Sequence, residues 1–261
     1  MENKGILVYC IAKELDESIS EIAGLDGINK LYAVENQELY AIVSDVDLEE
    51  YGEENMAEKG EDIEWLKEKA TIFMDVILKI NSLASIIPMK FLTIFTSEER
   101  VKGIISDNID QFLHNFEKIK NREELSVKIY CDDKTYKEKV MGEEISKFEK
   151  TLIGKPKGAA FFLKKKFDSE LDDKIQNKIC DMANRFADGI SKFAVEMKSN
   201  NILAKEITGI TVPMILNGAY LVNNDQSAEF TAAIDEQKGE YEDNGFIIEL
   251  SGPWPPFSFY D

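Results

Sequence analysis

The chain has 261 residues, and its 50 Asp and Glu outnumber its 31 Lys and Arg, which gives a formal net charge of −19. A surface this acidic repels phosphate backbones, and the only guanidinium groups are those of Arg100, Arg122 and Arg185, so nucleic acid is excluded as an expected partner. Hydrophobic residues make up 44% of the chain, enough for a packed core, and the length suits two modest domains as well as one large one.

The apolar stretches and the cysteines indicate a cellular location. The longest apolar stretch, residues 207–222, is interrupted by Pro213 and is shorter than the roughly 20 residues of a membrane-spanning helix. The opening apolar run, residues 6–12, precedes no small-residue cleavage site and so indicates a strand, not a signal peptide. The cysteines are odd in number and form no CxxC pair, which is typical of a reducing compartment. We therefore predict a cytoplasmic protein that does not enter a membrane.

The first block of the chain is predicted to be a small α+β domain. Strand-like runs occupy residues 5–12, 28–34 and 38–45, the last two joined by a hairpin at 35–37. The segment 45–68 carries eleven Asp and Glu against two Lys, which is typical of a solvated loop and helix face. A helix is predicted from Glu61, because apolar residues recur at intervals of three and four: Ile63, Leu66, Ala70, Phe73, Ile77 and Ile80.

A short apolar segment and a second helix complete this block. Residues 85–95 contain Pro88, so they are predicted to form an edge strand or a strand that runs into a loop. Thr96 and Glu99 make a capping box, which predicts that a helix begins there. His114 falls on the polar side of that helix and is expected to face solvent. The expected buried side consists of Val101, Ile105, Phe112, Phe116 and Ile119.

The second block begins near Glu124 and is predicted to follow a β-α-β-β-α-β order, which is the ferredoxin-like arrangement. A strand at 125–130 precedes a helix that Asp132 or Asp133 caps. The strongest periodic signal in the chain predicts a long helix from about Asp168 to Lys198. The remaining predicted elements are strands at 202–207 and 210–222, a helix at 226–241 and a last strand at 246–250.

The predicted fold class is therefore α+β, with two modified ferredoxin-like domains and an extended tail rich in Pro and aromatic residues. We place the N-terminal domain at residues 1–121, the C-terminal domain at 122–250 and the tail at 251–261. The tail holds three of the six prolines and one of the two tryptophans, unlike a tail adapted to solvent. We expect it either to fold back over its own domain as a clasp or to be presented to a partner chain.

The chain lacks the residues that most catalytic and metal-binding sites require. His114 is the only histidine, so triads, Cys–His pairs and zinc sites lack their usual member, and we expect no catalytic, cofactor-binding or metal-ligating residue. The glycine-flanked segment 154–158 is interpreted as a helix-breaking turn, and Lys164, Lys165 and Lys166 as a solvated basic spot. Two alternatives stay open: a carboxylate-dependent metal hydrolase, and a small-ligand regulatory module on ferredoxin-like domains.

The tail and four other segments resemble one known family. Residues 252–259, Gly-Pro-Trp-Pro-Pro-Phe-Ser-Phe, resemble the C-terminal GPWPPYxF signature of the GvpL/GvpF family of gas vesicle proteins. Residues 87–95 are similar to the family's VLPLRFGTVF segment, and residues 217–222 to its NxAYLV element. Residues 8–11 look like the family's opening strand, and residues 124–128 like the strand that opens its second half.

Several positions depart from the family pattern. Lys90 and Leu92 replace the Arg and Gly of the family's LRFG, and Phe257 replaces the usual Tyr. No His precedes Pro88 in the helix where many members carry one. Lys90 keeps the charge and loses the planar fork, and Leu92 is expected to disfavour a positive φ.

The resemblance implies a non-enzymatic accessory protein for gas vesicle assembly, associated with the vesicle and without a cofactor. It implies binding to the hydrophobic shell protein and to other vesicle proteins, which would prevent aggregation and aid wall formation. It does not separate the F branch from the L branch. The candidate partner-binding or tail-clasp residues are Pro88, Lys90, Phe91, Phe95, Trp254, Pro255, Pro256, Phe257 and Phe259.

Overall fold

The computed structural model describes residues 4–52, 55, 59, 60 and 62–260. These residues form two compact units. The first unit consists of the described residues up to Glu123 together with those from Trp254 onward, and the second unit is Glu124–Pro253. The first unit is therefore assembled from two parts of the chain that are far apart in sequence.

The first unit is built on a five-stranded sheet with the order β2-β3-β1-β4, in which β5 also pairs with β1. Each of these pairings is antiparallel. The strands are β1 (Lys4–Ala12), β2 (Tyr32–Asn36), β3 (Leu39–Asp47), β4 (Ile86–Pro88) and β5 (Ile94–Phe95).

Helices cover both faces of this sheet, which explains why its central strand is apolar on both sides. Successive residues of β1 point to opposite faces, so Leu7 joins one core cluster and Val8 the other. The helices are α1 (Leu48–Tyr51), α2 (Ile63–Asn81), α3 (Glu98–Asp107) and α4 (Ile109–Ile119), with a 3₁₀ helix at Glu17–Glu21. Helix α2 packs on the Leu7 side, and α3 and α4 pack on the Val8 side.

The second strand, helix α2 and the cap of α3 differ from their predictions. Ile28 is 81% exposed and the second strand begins only at Tyr32. Ile63 is 76% exposed, so it does not extend the buried stripe of α2, and the predicted start of that helix, Glu61, lies outside the described residues. The cap of α3 is Ser97 rather than Thr96, because the Ser97 hydroxyl accepts from the Arg100 amide.

The predicted second helix is two helices, α3 and α4, which meet at Asn108. The side-chain amide of Asn108 donates to the carbonyl oxygen of Ile104 at 2.8 Å, a local hydrogen bond that competes with helix continuation. The predicted buried side is confirmed, since Val101, Ile105, Phe112, Phe116 and Ile119 are all buried. His114 is exposed as predicted.

The second unit contains a four-stranded sheet with the order β7-β8-β6-β9. Its core places Ile175, Ile179 and Phe186 of one helix against Tyr220 of the sheet. The strands are β6 (Arg122–Cys131), β7 (Glu196–Ser199), β8 (Met214–Asn223) and β9 (Phe246–Trp254). The helices are α5 (Asp133–Leu152), α6 (Lys157–Ser191), α7 (Lys205–Thr208) and α8 (Ser227–Asp243). Asp132 caps α5 as predicted, accepting from the amide of Lys134.

The long helix and the segment after it differ from their predictions. Helix α6 begins at Lys157, eleven residues before the predicted Asp168, because Pro156 suits a helix entry and Gly154, at φ 81°, ends the preceding helix. It ends at Ser191, and Met197 lies in β7 opposite Tyr220. No strand forms at 202–207, where the structure has the short helix α7.

None of the helices in the described part of the chain is both long enough and apolar enough to cross a bilayer.

Tyr9 makes the alkaline stability of the first unit testable. Burial raises the pKa of its phenol from 10.0 to about 12, and the buried hydroxyl accepts from the Leu25 amide at 2.7 Å. The Tyr9 phenol ionises at a lower pH in the unfolded chain than in the folded chain. Its contribution to the free energy of unfolding is therefore complete below about pH 10 and is lost as the pH rises to about 12. The loss amounts to about 3 kcal/mol for a shift of this size.

We therefore expect the free energy of unfolding, measured by urea titration, to fall between about pH 10 and 12. Tyr9→Phe should flatten this fall without abolishing it, because burial also raises the pKa values of Tyr32 and Tyr51. An equally steep fall in the Tyr9→Phe variant would assign the effect to other groups.

Candidate functional site

An apolar groove of about 670 Å³ lies in the first unit. Helix α2, the segment between β4 and β5, helices α3 and α4, and the C-terminal tail all contribute to its walls. Its lining consists of Ala70, Phe73, Met74, Ile87, Pro88, Met89, Lys90, Phe91, Thr93, Ile104, Asn108, Gln111, Phe112, Asn115, Phe257 and Tyr260.

The α2 wall of the groove is held by aromatic contacts. The ring of Phe73 stacks on that of Tyr9 with centroids 5.4 Å apart. On its other side Phe73 meets the ring of Phe91 edge-on, with centroids 5.3 Å apart. Tyr9 is fully buried, and its hydroxyl lies 2.9 Å from the hydroxyl of Ser44. Phe91 is thereby fixed against the core while part of its ring still lines the groove.

Backbone hydrogen bonds to β1 position the segment between β4 and β5. The amide of Met89 donates to the carbonyl of Tyr9 at 2.8 Å, and the amide of Val8 donates to the carbonyl of Thr93 at 2.9 Å. Between these two anchors the chain must turn tightly, and the carbonyl of Lys90 accepts from the amide of Thr93 at 3.1 Å. This arrangement is the i to i+3 pattern of a β-turn.

Leu92 occupies the third position of this turn with φ at 61°, which corrects our expectation that it would not adopt a positive φ. A turn with a single positive φ at this position has the type II pattern, which favours glycine. The turn is dictated by the two anchors on β1, and the side chain of Leu92 packs partly against the core cluster on the α2 side. That packing offsets part of the strain of a left-handed leucine.

The backbone cost at Leu92 can be separated from the packing of its side chain. Leu92→Gly and Leu92→Ala both remove the packing, and only glycine accepts the positive φ without strain. We expect the glycine variant to be more stable than the alanine variant by about 1 kcal/mol in urea unfolding, the reverse of the usual order. Lower stability of the glycine variant would mean that the turn relaxes to a negative φ.

Polar groups occupy one side of the groove. Asn108, Gln111 and Asn115 follow one another at spacings of three and four along α3 and α4, and Asn115 is only 5% exposed. Lys90 is exposed and is the one charged group among the described lining residues, none of which is Asp, Glu, His or Cys. In a chain with 50 carboxylate side chains, this surface is suited to an apolar segment that makes a few hydrogen bonds.

The tail packs within the first unit. Pro255, Pro256 and Phe259 are buried, and the ammonium of Lys118 lies 5.9 Å from the centre of the Phe259 ring. Phe257 packs against the core cluster on the α2 side of the sheet, and Tyr260 against the cluster on the opposite side. The C-terminal residue Asp261 lies outside the described residues.

The structure brings part of the predicted site together. Pro88, Lys90, Phe91 and Phe257 all line the groove, although the tail is far from the others in sequence. The other candidates lie outside the lining: Phe95 pairs with Ile6 in β5, and Trp254, Pro255, Pro256 and Phe259 belong to the tail that supports one wall.

Several lining residues were missed by sequence reasoning. Met74 lies beside the predicted stripe of α2, and Tyr260 is one of the aromatic residues of the tail. Asn115 was not singled out, although a buried Asn next to Phe112 and Phe116 interrupts an apolar face. A polar residue in the middle of an apolar helix face is the local sequence signal that could have indicated a groove there.

No group of three or more His, Cys, Asp or Glu side chains among the described residues is arranged to hold a metal ion.

The fold defines a mixed α/β protein with two antiparallel sheets, the class to which two solved gas vesicle proteins belong. The structure is similar to GvpF from Anabaena sp., with a TM-score of 0.69 and 17% identity, covering 99% of this chain and 96% of that one. It is equally similar to GvpF from Microcystis aeruginosa, with a TM-score of 0.69, 16% identity and 98% of each chain covered. The family model described as "Gas vesicle synthesis protein GvpL/GvpF" matches residues 5–261. This chain belongs to the GvpL/GvpF family.

Relatives named for both branches match nearly the whole chain. Gas vesicle protein L of a Streptomyces species is 22% identical over 97% of this chain and 91% of its own length. Gas vesicle protein F1 of Halobacterium salinarum is also 22% identical, over 99% of this chain and 93% of its own length. Identity therefore does not separate the F and L branches. These relatives are named as gas vesicle proteins, not as enzymes, and family membership indicates a role in gas vesicle assembly.

Proposed function

We propose that this protein acts in gas vesicle assembly without catalysing a reaction, by binding the hydrophobic shell protein reversibly so that it does not aggregate before it joins the wall. The observation that carries this proposal is the apolar groove of the first unit. Two segments through which the chain resembles its family, 87–95 and 252–259, contribute Pro88, Phe91 and Phe257 to the same groove.

The chemistry of the groove fits such a client. An apolar segment of a shell subunit would bury apolar surface against Met74, Met89 and Phe112, and its backbone could hydrogen-bond to Gln111 at the rim. Burial of a few hundred Å² of apolar surface at about 25 cal/mol per Å² provides several kcal/mol before the costs of association. Those costs leave a weak complex, and weak binding suits a protein that must release its client.

The charge of the chain supports a second part of this role. With a net charge of −19, complexes of this protein with an uncharged client repel one another and stay dispersed. We place this activity in the cytoplasm and expect other vesicle accessory proteins among the partners. The tail, in this proposal, contributes the Phe257 wall of the groove and clasps the first unit through Phe259.

We also propose that both units are variants of the ferredoxin-like arrangement. The support is the strand order, because β2-β3-β1-β4 and β7-β8-β6-β9 place the four strands of each unit in the same relative sequence order. The first unit departs from it by joining β1 to β2 through a 3₁₀ helix, Glu17–Glu21, in place of a longer helix.

The groove can be tested by placing a charge in its apolar wall. Met89→Glu and Met74→Glu each put a carboxylate where an apolar segment would lie, and both side chains are only partly buried. We expect at least a tenfold loss in suppression of shell-protein aggregation, measured by light scattering, because an unpaired charge would be buried in the complex.

Ile28→Glu is the matched control, since it makes a similar change in the first unit at a side chain that is 81% exposed and outside the groove. It should suppress aggregation as well as the parent chain does. If the groove variants protect the shell protein fully, the binding surface lies outside the groove. If the parent chain gives no protection, the proposed function is refuted.

One observation keeps a second function in view. A volume of about 670 Å³ falls within the range of small-molecule sites, so a small-ligand regulatory module remains the alternative. A metabolite that raises the melting temperature of the parent chain but not of Met89→Glu would favour this alternative.

A further inference from the structure

The end of the α5–α6 hairpin in the second unit exposes an unusual concentration of apolar side chains. Ile153 is 81% exposed, Phe161 71% and Phe162 75%, and Leu163 is 40% exposed. We call residues 153–166 the hairpin tip. Such large apolar groups are normally buried, and a contiguous exposed set of them marks an interaction surface more often than scattered single residues do.

The charge of the hairpin tip is opposite to that of the chain. Residues 153–166 contain five lysines and no carboxylate, so the tip carries +5 while the rest of the chain carries −19 − 5 = −24. The five are Lys155, Lys157, Lys164, Lys165 and Lys166. Lys166 makes an exposed ion pair with Glu170 at 3.7 Å, and within the described residues no ion pair joins the other four to a carboxylate.

The hairpin tip extends beyond the core of its unit on a firm support. Phe167 is the first residue of α6 that packs against the core cluster, so residues 157–166 project over about 15 Å at 1.5 Å per residue. At the base of this projection the rings of Phe148 and Phe167 stack with centroids 3.7 Å apart. Lys174 of α6 also donates to Glu144 of α5 at 2.6 Å. These contacts fix the base of the tip, although the side chains at its outer end are exposed and do not pack against the core.

Along α6 the apolar and basic groups of the tip alternate by helical turns. Phe161 lies one turn before Lys165, and Phe162 one turn before Lys166. A second helix with apolar residues and carboxylates at the same spacing could bury both rings while its carboxylates face the lysines. Two phenylalanines offer roughly 300 Å² of apolar side-chain surface to such a partner.

We propose that the hairpin tip is a docking surface for an acidic amphipathic helix of another protein. Charge complementarity favours this kind of partner over a membrane or a second copy of the chain. An anionic membrane would attract the tip but repel the much larger charge of −24 on the rest of the chain. Pairing with the tip of a second copy is opposed, because the two tips each carry +5 and the two whole chains each carry −19. An acidic helix on a partner of low net charge would be attracted to the basic tip, and the rest of that partner would be repelled little by the rest of this chain.

This surface lies in the second unit, so it is independent of the groove and can be tested without the shell protein. The probe is a fluorescein-labelled amphipathic peptide of about 20 residues built from Leu and Glu, with its Leu and Lys counterpart as the reference. Binding is measured by anisotropy at low and at raised salt. We expect the acidic peptide to bind the parent chain, more weakly as salt rises, and the basic peptide not to bind.

Two tip variants separate the apolar from the ionic contribution. Phe161→Ser with Phe162→Ser, and Lys164→Ser with Lys165→Ser, should each weaken binding of the acidic peptide at least tenfold. All four side chains are exposed, so the fold should be retained. The matched controls are Ile202→Ser with Ile207→Ser, at exposed apolar positions, and Lys79→Ser with Lys102→Ser, at exposed lysines, and both should bind as the parent does.

Several results would overturn the proposal. They are equal binding of the acidic peptide by the parent and the tip variants, and no binding by the parent. Tip-dependent binding to vesicles of phosphatidylcholine and phosphatidylserine without peptide binding would assign the tip to membranes. Tip-dependent dimerisation in sedimentation equilibrium without peptide binding would assign it to a second copy of this chain.

Discussion

Replacement of Phe259 by alanine is expected to lower the free energy of unfolding of the first unit by about 3–5 kcal/mol. Phe259 is 0% exposed, and the tail that carries it packs within the first unit. Truncation of the ring removes its transfer free energy from water and leaves a cavity that the neighbouring prolines, each with a fixed φ, cannot readily collapse to fill. The loss is therefore expected near the value for a fully buried phenylalanine.

Tryptophan fluorescence provides a selective measurement of this effect. The chain contains two tryptophans. Trp65 lies in α2 of the first unit, whereas Trp254 is grouped with the first unit but is also the last residue of β9, so the measurement uses a Trp254→Phe background. Urea unfolding followed by the emission of Trp65 should show an earlier midpoint for Phe259→Ala. Ile28→Ala is the matched control, since Ile28 lies in the first unit and is 81% exposed, so its truncation should change stability by less than about 0.5 kcal/mol. Equal midpoints for the two variants would contradict a structural role of the tail.

Phe186→Ala should destabilise the second unit by a similar amount, about 3–5 kcal/mol. Phe186 is 0% exposed and meets the ring of Tyr241 edge-on, with centroids 5.1 Å apart. It joins α6 to α8, so its loss opens a cavity between two elements of the core. We expect the far-UV circular dichroism of the helices to be lost at lower urea concentration in this variant.

The two variants together test whether each unit has its own stability. The transition of Trp65 should stay in place in Phe186→Ala, because Trp65 lies in α2 of the first unit. Phe162→Ala serves as the exposed control within the same helix, at 75% exposure. A tryptophan midpoint that moves with Phe186→Ala would show that the two units unfold as one.

Much of the secondary structure was predictable because it depends on neighbours in sequence. Asp132 caps α5 through a hydrogen bond to an amide two residues away, and the buried side of α3 and α4 follows from helical spacing alone. The start of α6 was missed because its first turns bury no side chain and so carry no periodic pattern. Met197 continues the helical spacing by four, so the pattern predicts it within α6, whereas the structure pairs it in β7.

The groove was predictable only in part. The unusual composition of the tail and the resemblance of the 87–95 segment directed attention to Pro88, Lys90, Phe91 and Phe257, which line it. Their meeting could not be read from the sequence, since it depends on how the tail packs within the first unit. The positive φ of Leu92 was missed for the same reason, because the turn is imposed by two hydrogen bonds to β1 and not by the residue itself.

The discontinuity of the first unit has a consequence for biosynthesis. Residues up to Glu123 leave the ribosome well before Phe257 and Tyr260, so the earlier part of the unit must wait for the whole second unit to be translated. Until then one wall of the groove is missing and the site it would complete is open. A nascent or prematurely terminated chain therefore lacks the part of the groove lining that Phe257 and Tyr260 supply.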